Sequence, residues 1–146
     1  MPVLSITRLR LRSWRYFPSF VLYSLRSARQ AEKTGGFIGG WLGGSGANAY
    51  WTVTVWRDEA GMKAFRDHDV HKVAMPKLLS WCDEAAMARV EQQGHEAPDG
   101  DRAFQLLSQK GRISKVRNPS AEHAAGQTVP DGRAPRPGRR LAALAA

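Results

Sequence analysis

Seven consecutive residues, Tyr50-Trp-Thr-Val-Thr-Val-Trp56, carry no charge and are all aromatic or β-branched. That composition belongs to a β-strand. Side chains alternate across a pleated strand, so Tyr50, Thr52, Thr54 and Trp56 share one face, and Trp51, Val53 and Val55 share the other. A strand that shuns water on both faces must lie inside a sheet with a cover on each side. The rest of the chain has to supply those covers.

The first candidate elements lie upstream. Val3 to Arg12 alternates: Ile6, Arg8, Arg10 and Arg12 on one face, Thr7, Leu9 and Leu11 on the other, a strand whose arginine face reads as solvated. Pro18 suits a first helical turn. Phe17, Phe20, Val21, Ser24, Ala28 and Ala31 then recur every three or four residues, an amphipathic helix that Gly35-Gly36 stops. Phe37 to Leu42 is a short strand containing Gly39 and Gly40, and glycine within a strand lets another backbone or a ligand approach closely. Gly43-Gly44-Ser45-Gly46 reads as a hairpin loop. It is not a phosphate loop, because no Lys-Ser/Thr follows and it leads into a strand.

Beyond Trp56, Asp58 can cap a helix with Glu59 at its positive end and Met62 and Phe65 facing inward. Asp69 can cap a further segment bearing Val70, Val73, Leu78 and Trp81, which Pro76 must kink or restart. Ala86 to Gln92 is a last strand. The order βαββαβ predicts a ferredoxin-like α+β sandwich over residues 1–93, with helices on one sheet face only. The opposite face of the central strand is then open in a monomer, which predicts a homodimer whose sheets pack face to face.

The remainder divides in two. Residues 94–118 retain a few large apolar groups and read as a C-terminal extension. Residues 119–146 are rich in Ala, Gly, Pro and Arg, and predict a disordered basic tail.

The net charge of +9 is uneven. Residues 1–33 carry seven basic and one acidic side chain, and residues 111–146 seven and two, while residues 34–110 carry eight and ten. A near-neutral body without zinc-finger spacing or RNP-type aromatics gives no specific nucleic-acid signature. Cys82 is the sole cysteine, in keeping with a reducing cytoplasm. No signal peptide and no bilayer-spanning run is evident, so a cytoplasmic location and no membrane partner are expected.

The run Trp56-Arg-Asp-Glu-Ala-Gly-Met-Lys-Ala-Phe65, followed by Asp69-Val70-His71-Lys72, resembles the antibiotic-biosynthesis-monooxygenase superfamily of dimeric α/β barrels, over roughly residues 3–93. That resemblance implies a pocket between the sheet and its helices for a small hydrophobic or aromatic ligand. It also implies, as the leading reading, cofactor-independent oxidation of an aromatic, quinol or polyketide-like molecule. A non-catalytic dimeric binding or structural protein of the same fold is the alternative, and a haem-binding oxygenase a third. Haem degraders of the superfamily carry an Asn on the first strand, where this chain has Ser5 or Thr7. Met75 falls where they carry the iron-ligating His, and His71 on a Phe position. No cofactor is therefore expected; were haem bound, His71 or Met75 would be the axial ligand.

Among single residues, His71 is the candidate general base, since imidazole titrates near neutrality. Its neutral reading is a histidine bonded to a helix cap or water. Trp56, Trp51, Phe65 and Met75 are the candidate substrate-binding residues; core packing is the default for the tryptophans, and which strand face lines the pocket is open. His68 and His71 have metal-like spacing near Asp67 and Asp69, but no second cluster completes a site. Cys82 reads as a buried thiol.

Overall fold

The computed structural model describes residues 1–67 and 76–144. Along the chain lie β1 (Val3–Leu11), a 3-10 turn (Trp14–Tyr16), α1 (Phe17–Lys33), β2 (Phe37–Gly46), β3 (Ala49–Trp56) and α2 (Glu59–Arg66). Residues 76–81 are helical (α3), followed by β4 (Cys82–Glu91), α4 (Gly100–Lys110), β5 (Arg112–Ile113), α5 (Ala121–Ala124) and β6 (Arg136–Ala142). The strands form one antiparallel sheet ordered β5-β4-β1-β3-β2-β6. Its inner four strands have the ferredoxin-like order, and β1 and β3 are its two central strands.

The expected local signals operate. Asp58 Oδ1 accepts the Gly61 amide at 2.9 Å and starts α2. Phe20, Ala28 and Ala31 form the buried stripe of α1. The chain reversal after β2 falls later than the glycine run suggests, at Ala47-Asn48. Both residues have positive φ (52° and 63°), the geometry of a tight hairpin turn.

Three expectations are overturned. The first concerns the sheet face predicted to lie open for a second subunit. Leu4, Ile6, Trp51, Val53, Val55, Ala86 and Ala88 on that face pack against Ala103, Leu106 and Leu107 of α4. The Asp99 side chain caps α4 by accepting the Arg102 amide at 2.8 Å. Its buried positions recur at spacings of three and four, so the helix presents one apolar stripe to the sheet. The second cover that β3 requires therefore comes from its own chain. A second copy using this face would have to displace α4, and the ground for a face-to-face homodimer falls away.

The second correction concerns residues 119–146, expected to be disordered. They include α5 and β6, and β6 pairs with β2 from Gly39↔Ala142 to Gly44↔Arg136. Two glycines make the docking possible: a Cβ on Gly43 would lie 2.2 Å from the Arg136 carbonyl oxygen, and one on Gly100 would lie 1.9 Å from that of Pro135. Leu141 is buried beside Trp56 and Met62, and His123 is buried with Nε2 donating to the Ser114 carbonyl at 2.8 Å. Composition alone misses this order, because a few anchors and a ladder of backbone hydrogen bonds hold a segment with little apolar surface.

The third concerns the arginine face of β1. Arg8 is 1% exposed and bonds Glu84 at 2.8 Å and Asp131 at 3.2 Å. Arg10 grips Asp83 through two bonds of 3.1 and 2.8 Å. Ser120 Oγ donates to Glu84 Oε2 at 2.9 Å. This network ties the C-terminal segment to β1 and β4.

Candidate active-site cleft

The helix-side face of the sheet is built in rows. Residues directly opposite in an antiparallel pair share a face, so Val3, Ser5, Thr7 and Leu9 of β1 stand beside Trp56, Thr54, Thr52 and Tyr50 of β3. On the other flank, β4 offers Glu91, Arg89, Met87 and Ala85 in the same rows. On β1 and β3 the two middle rows are polar: Ser5, Thr7, Thr52 and Thr54.

Accessibility sets this band apart. Leu4, Ile6 and Val53, on the same two central strands but facing α4, are at most 1% exposed. Ser5, Thr7 and Thr52 remain only half-buried. Dry clusters bound the band at each end. One contains Val3, Ala31, Phe37, Trp56 and Met62; the other contains Leu11, Phe20, Cys82 and Ala85, with Tyr50 and Trp81 against it. α1 contributes Phe20 to one cluster and Ala28 to the other, and between them its inward stripe carries the small Ser24. This hydroxyl band, apolar at both ends, is the candidate floor of a ligand cleft.

Trp56 closes one end. It is fully buried, edge-on to Phe37 (centroids 5.1 Å, 67°) and stacked on Phe65 (5.3 Å, 29°). Its indole N–H donates to Thr54 Oγ1 at 3.0 Å. The Thr54 hydroxyl thus accepts from Trp56 and keeps its own proton to donate. Arg89 stands at the cleft's flank on β4. Its Nη1 donates to Glu59 Oε1 at 2.7 Å, while its buried Nε–H has no hydrogen-bond partner among the described residues. Lys63 foremost, with Arg89, holds the Glu59 carboxyl below its ordinary range. That carboxylate stays ionised and keeps the Arg89 guanidinium oriented.

Of the residues singled out from sequence, Trp56 and Phe65 come together. Trp51 does not join them: it faces α4, is 1% exposed, and donates its indole N–H to Ser45 Oγ at 3.1 Å. Trp51 is thus core on the α4 side, while Trp56, equally buried, lies in the cluster on the α1 and α2 side. His71 and Met75, with His68 and Asp69, lie outside the described residues. No group of three metal-ligating side chains occurs among the described residues. Burial, and then the nearby Asp83 charge, push the Cys82 thiol up to about 12, so it is no nucleophile at neutral pH. The hydroxyl band escaped the sequence reading, although Ser5, Thr7, Thr52 and Thr54 alternate on two adjacent strands. Only the register shows that they meet.

Comparison with known proteins identifies the fold and no more. No family model matches the chain, and no curated protein matches it. Solved structures do. A conserved protein from Methanosarcina mazei Go1 superposes with a TM-score of 0.58 at 14% identity, covering 64% of this chain and 94% of that one. A mutant of SnoaB, a cofactor-independent oxygenase from Streptomyces nogalater, gives 0.54 at 15%, with the same coverages. A protein described as a candidate antibiotic biosynthesis monooxygenase from Nitrosomonas europaea gives 0.55 at 10%, covering 64% and 89%. The chain shares the ferredoxin-like α+β fold of these structures. About a third of it has no counterpart in these structures.

Proposed function

We propose that the protein binds a small, largely apolar molecule bearing a phenol- or enol-type oxygen in the cleft between the sheet and α1/α2, and oxidises it with molecular oxygen. The observation that carries this reading is the hydroxyl band of half-buried Ser5, Thr7 and Thr52 with buried Thr54, between two dry clusters, with the unpartnered Nε–H of Arg89 beside it. Neutral hydroxyls orient a substrate oxygen without demanding a charge. A guanidinium donor in a poorly solvated site stabilises the oxyanion formed on deprotonation. His71 is the proposed base. The substrate supplies the electrons: an activated ring carbon loses two C–H bonds and gains one C=O, and the second oxygen atom leaves as water. Neither a metal nor an organic cofactor is needed in this scheme, in line with the description of SnoaB as cofactor-independent.

A second reading, a binding protein without turnover, is favoured by one feature: among the described residues, Arg89 is the only titratable side chain that β1, β3 and β4 bring to the two middle rows. Oxygen uptake separates the two. With a panel of hydroquinones and anthrone-like ketones, wild type should consume oxygen. Thr7→Val should weaken substrate binding about tenfold, the worth of a lost buried hydrogen bond, and His71→Ala should abolish turnover while leaving ligand binding intact. Binding without uptake by wild type would establish the second reading; equal uptake by His71→Ala would remove the proposed base.

A further inference from the structure

The outward ridge of α1 has a character that neither the cleft nor the core explains. Six large apolar side chains stand exposed on the described surface, and three belong to one stretch: Trp14 (68%), Leu22 (46%) and Leu25 (42%). Pro18, Leu22, Leu25 and Arg29 follow one another by steps of four, three and four along α1, so they form a single ridge on the helix. Trp14 stands just before it, held edge-on to Phe17 at 5.9 Å.

The charge along this stretch is predominantly basic. Arg8 and Arg10 spend their charge inside the fold on Glu84, Asp131 and Asp83. Arg12, Arg15, Arg26, Arg29 and Lys33 instead lie towards the surface. Arg12 and Arg15 bracket the Tyr16 ring beside Trp14, each donating to the Tyr16 hydroxyl at 2.6 Å. Arg26 and Arg29 have no ion-pair partner among the described residues. From Trp14 to Lys33 the only acid is Glu32, and its carboxylate accepts the Ala142 amide at 3.0 Å.

We infer that this ridge is a docking face for an anionic lipid surface, on which α1 lies flat with Trp14, Leu22 and Leu25 inserted and the arginines at the headgroups. A helix lying in the interface is recognised by an apolar face flanked by Arg or Lys, with Trp or Leu at the apolar side. Charge complementarity selects this occupant. A symmetric dimer through α1 would set Arg26 and Arg29 against their own copies, at a repulsive cost. A nucleic-acid backbone would leave two leucines without an apolar partner. The absence of a bilayer-spanning helix among the described residues concerns crossing, whereas this contact is peripheral. It is independent of the proposed oxidation and is read without substrate.

The experiment is co-sedimentation of the full chain with phosphatidylcholine vesicles containing about 30 mol% phosphatidylglycerol, alongside pure phosphatidylcholine vesicles. Trp14 is the only exposed tryptophan of the five, so a blue shift in emission provides a second readout. Binding to the anionic vesicles with a blue shift, and at least about tenfold weaker partition into the neutral ones, is expected. Arg26→Ala/Arg29→Ala should lower partition about tenfold, and Leu22→Ser/Leu25→Ser by a similar factor. All four positions lie on the helix surface, and unchanged thermal melting confirms that the variants fold. No sedimentation with anionic vesicles at millimolar lipid would overturn the inference. So would partition unaffected by either double variant, or equal retention of wild type by a soluble polyanion such as heparin.

Discussion

The two faces of one sheet solve opposite problems. The face under α4 is dry at its centre: Ile6, Val53 and Val55 are fully buried, and towards its end an arginine is buried with its carboxylate partners. The face under α1 and α2 leaves a row of hydroxyls half wet along the same two central strands. Since β1 and β3 supply both faces, strand position does not set this difference. The covering residues do: α4 brings Leu106 and Leu107 down onto the sheet, while α1 places Ser24 between Phe20 and Ala28. A face packed to native density contributes stability, and one left incompletely filled can receive a ligand.

This contrast can be tested by breaking it, and the largest effect should come from the buried charge. Glu84→Ala strips Arg8 of its 2.8 Å partner and should cost about 3–5 kcal/mol in urea unfolding, because a buried guanidinium is left undercompensated. A loss below about 1 kcal/mol would show that water already reaches that end of the α4 face.

Next comes the cover itself. Leu107→Ala, at a fully buried position, should cost about 3 kcal/mol through lost burial and the cavity left behind. Light scattering after size exclusion should find the wild type monomeric at micromolar concentration. A stable dimer with α4 displaced would refute the claim that this chain covers its own sheet.

The smallest effect, read at pH 10, probes the dry end of the helix face. The Cys82 thiol is pushed up to about 12 from an ordinary 9.0, first by burial and then by the charge of Asp83. Above pH 9 the unfolded chain releases this proton while the folded protein retains it. Stability is therefore unaffected below pH 9 and falls as pH rises from 9 towards 12, by about 1.4 kcal/mol per unit. Burial raises the Tyr50 hydroxyl too, so the Cys82→Ala difference isolates the thiol. If the two proteins lose stability in parallel, cleft water extends to Cys82.

Much of the inner unit is legible from residues alone. A strand with two apolar faces has to be central, and β3 is. Asp58, Pro18 and the Phe20-Ala28-Ala31 stripe act through neighbours a few positions away, where sequence and space coincide. Ala103, Leu106 and Leu107 behind Asp99 carry the same kind of signal for α4 as a helix, but nothing local says which surface it covers. Arg8 shows the limit from the other side: alternation placed it on a solvated face, and only Glu84 and Asp131, 76 and 123 residues away, make it a buried one. In the cleft, Trp56 and Phe65 could be paired from sequence, whereas the hydroxyl band required the β1–β3 register.

The sequence by itself determined the order of elements over residues 1–93, the Asp58 cap and the demand that β3 be covered twice, because backbone preference and side-chain period act over a few residues. The tertiary structure alone decided what meets that demand: α4 on one face, α1 and α2 over a half-buried hydroxyl band on the other, and a glycine-lined edge that accepts β6. Those outcomes depend on contacts between residues far apart in the chain, whose free energy appears only when distant surfaces leave water together.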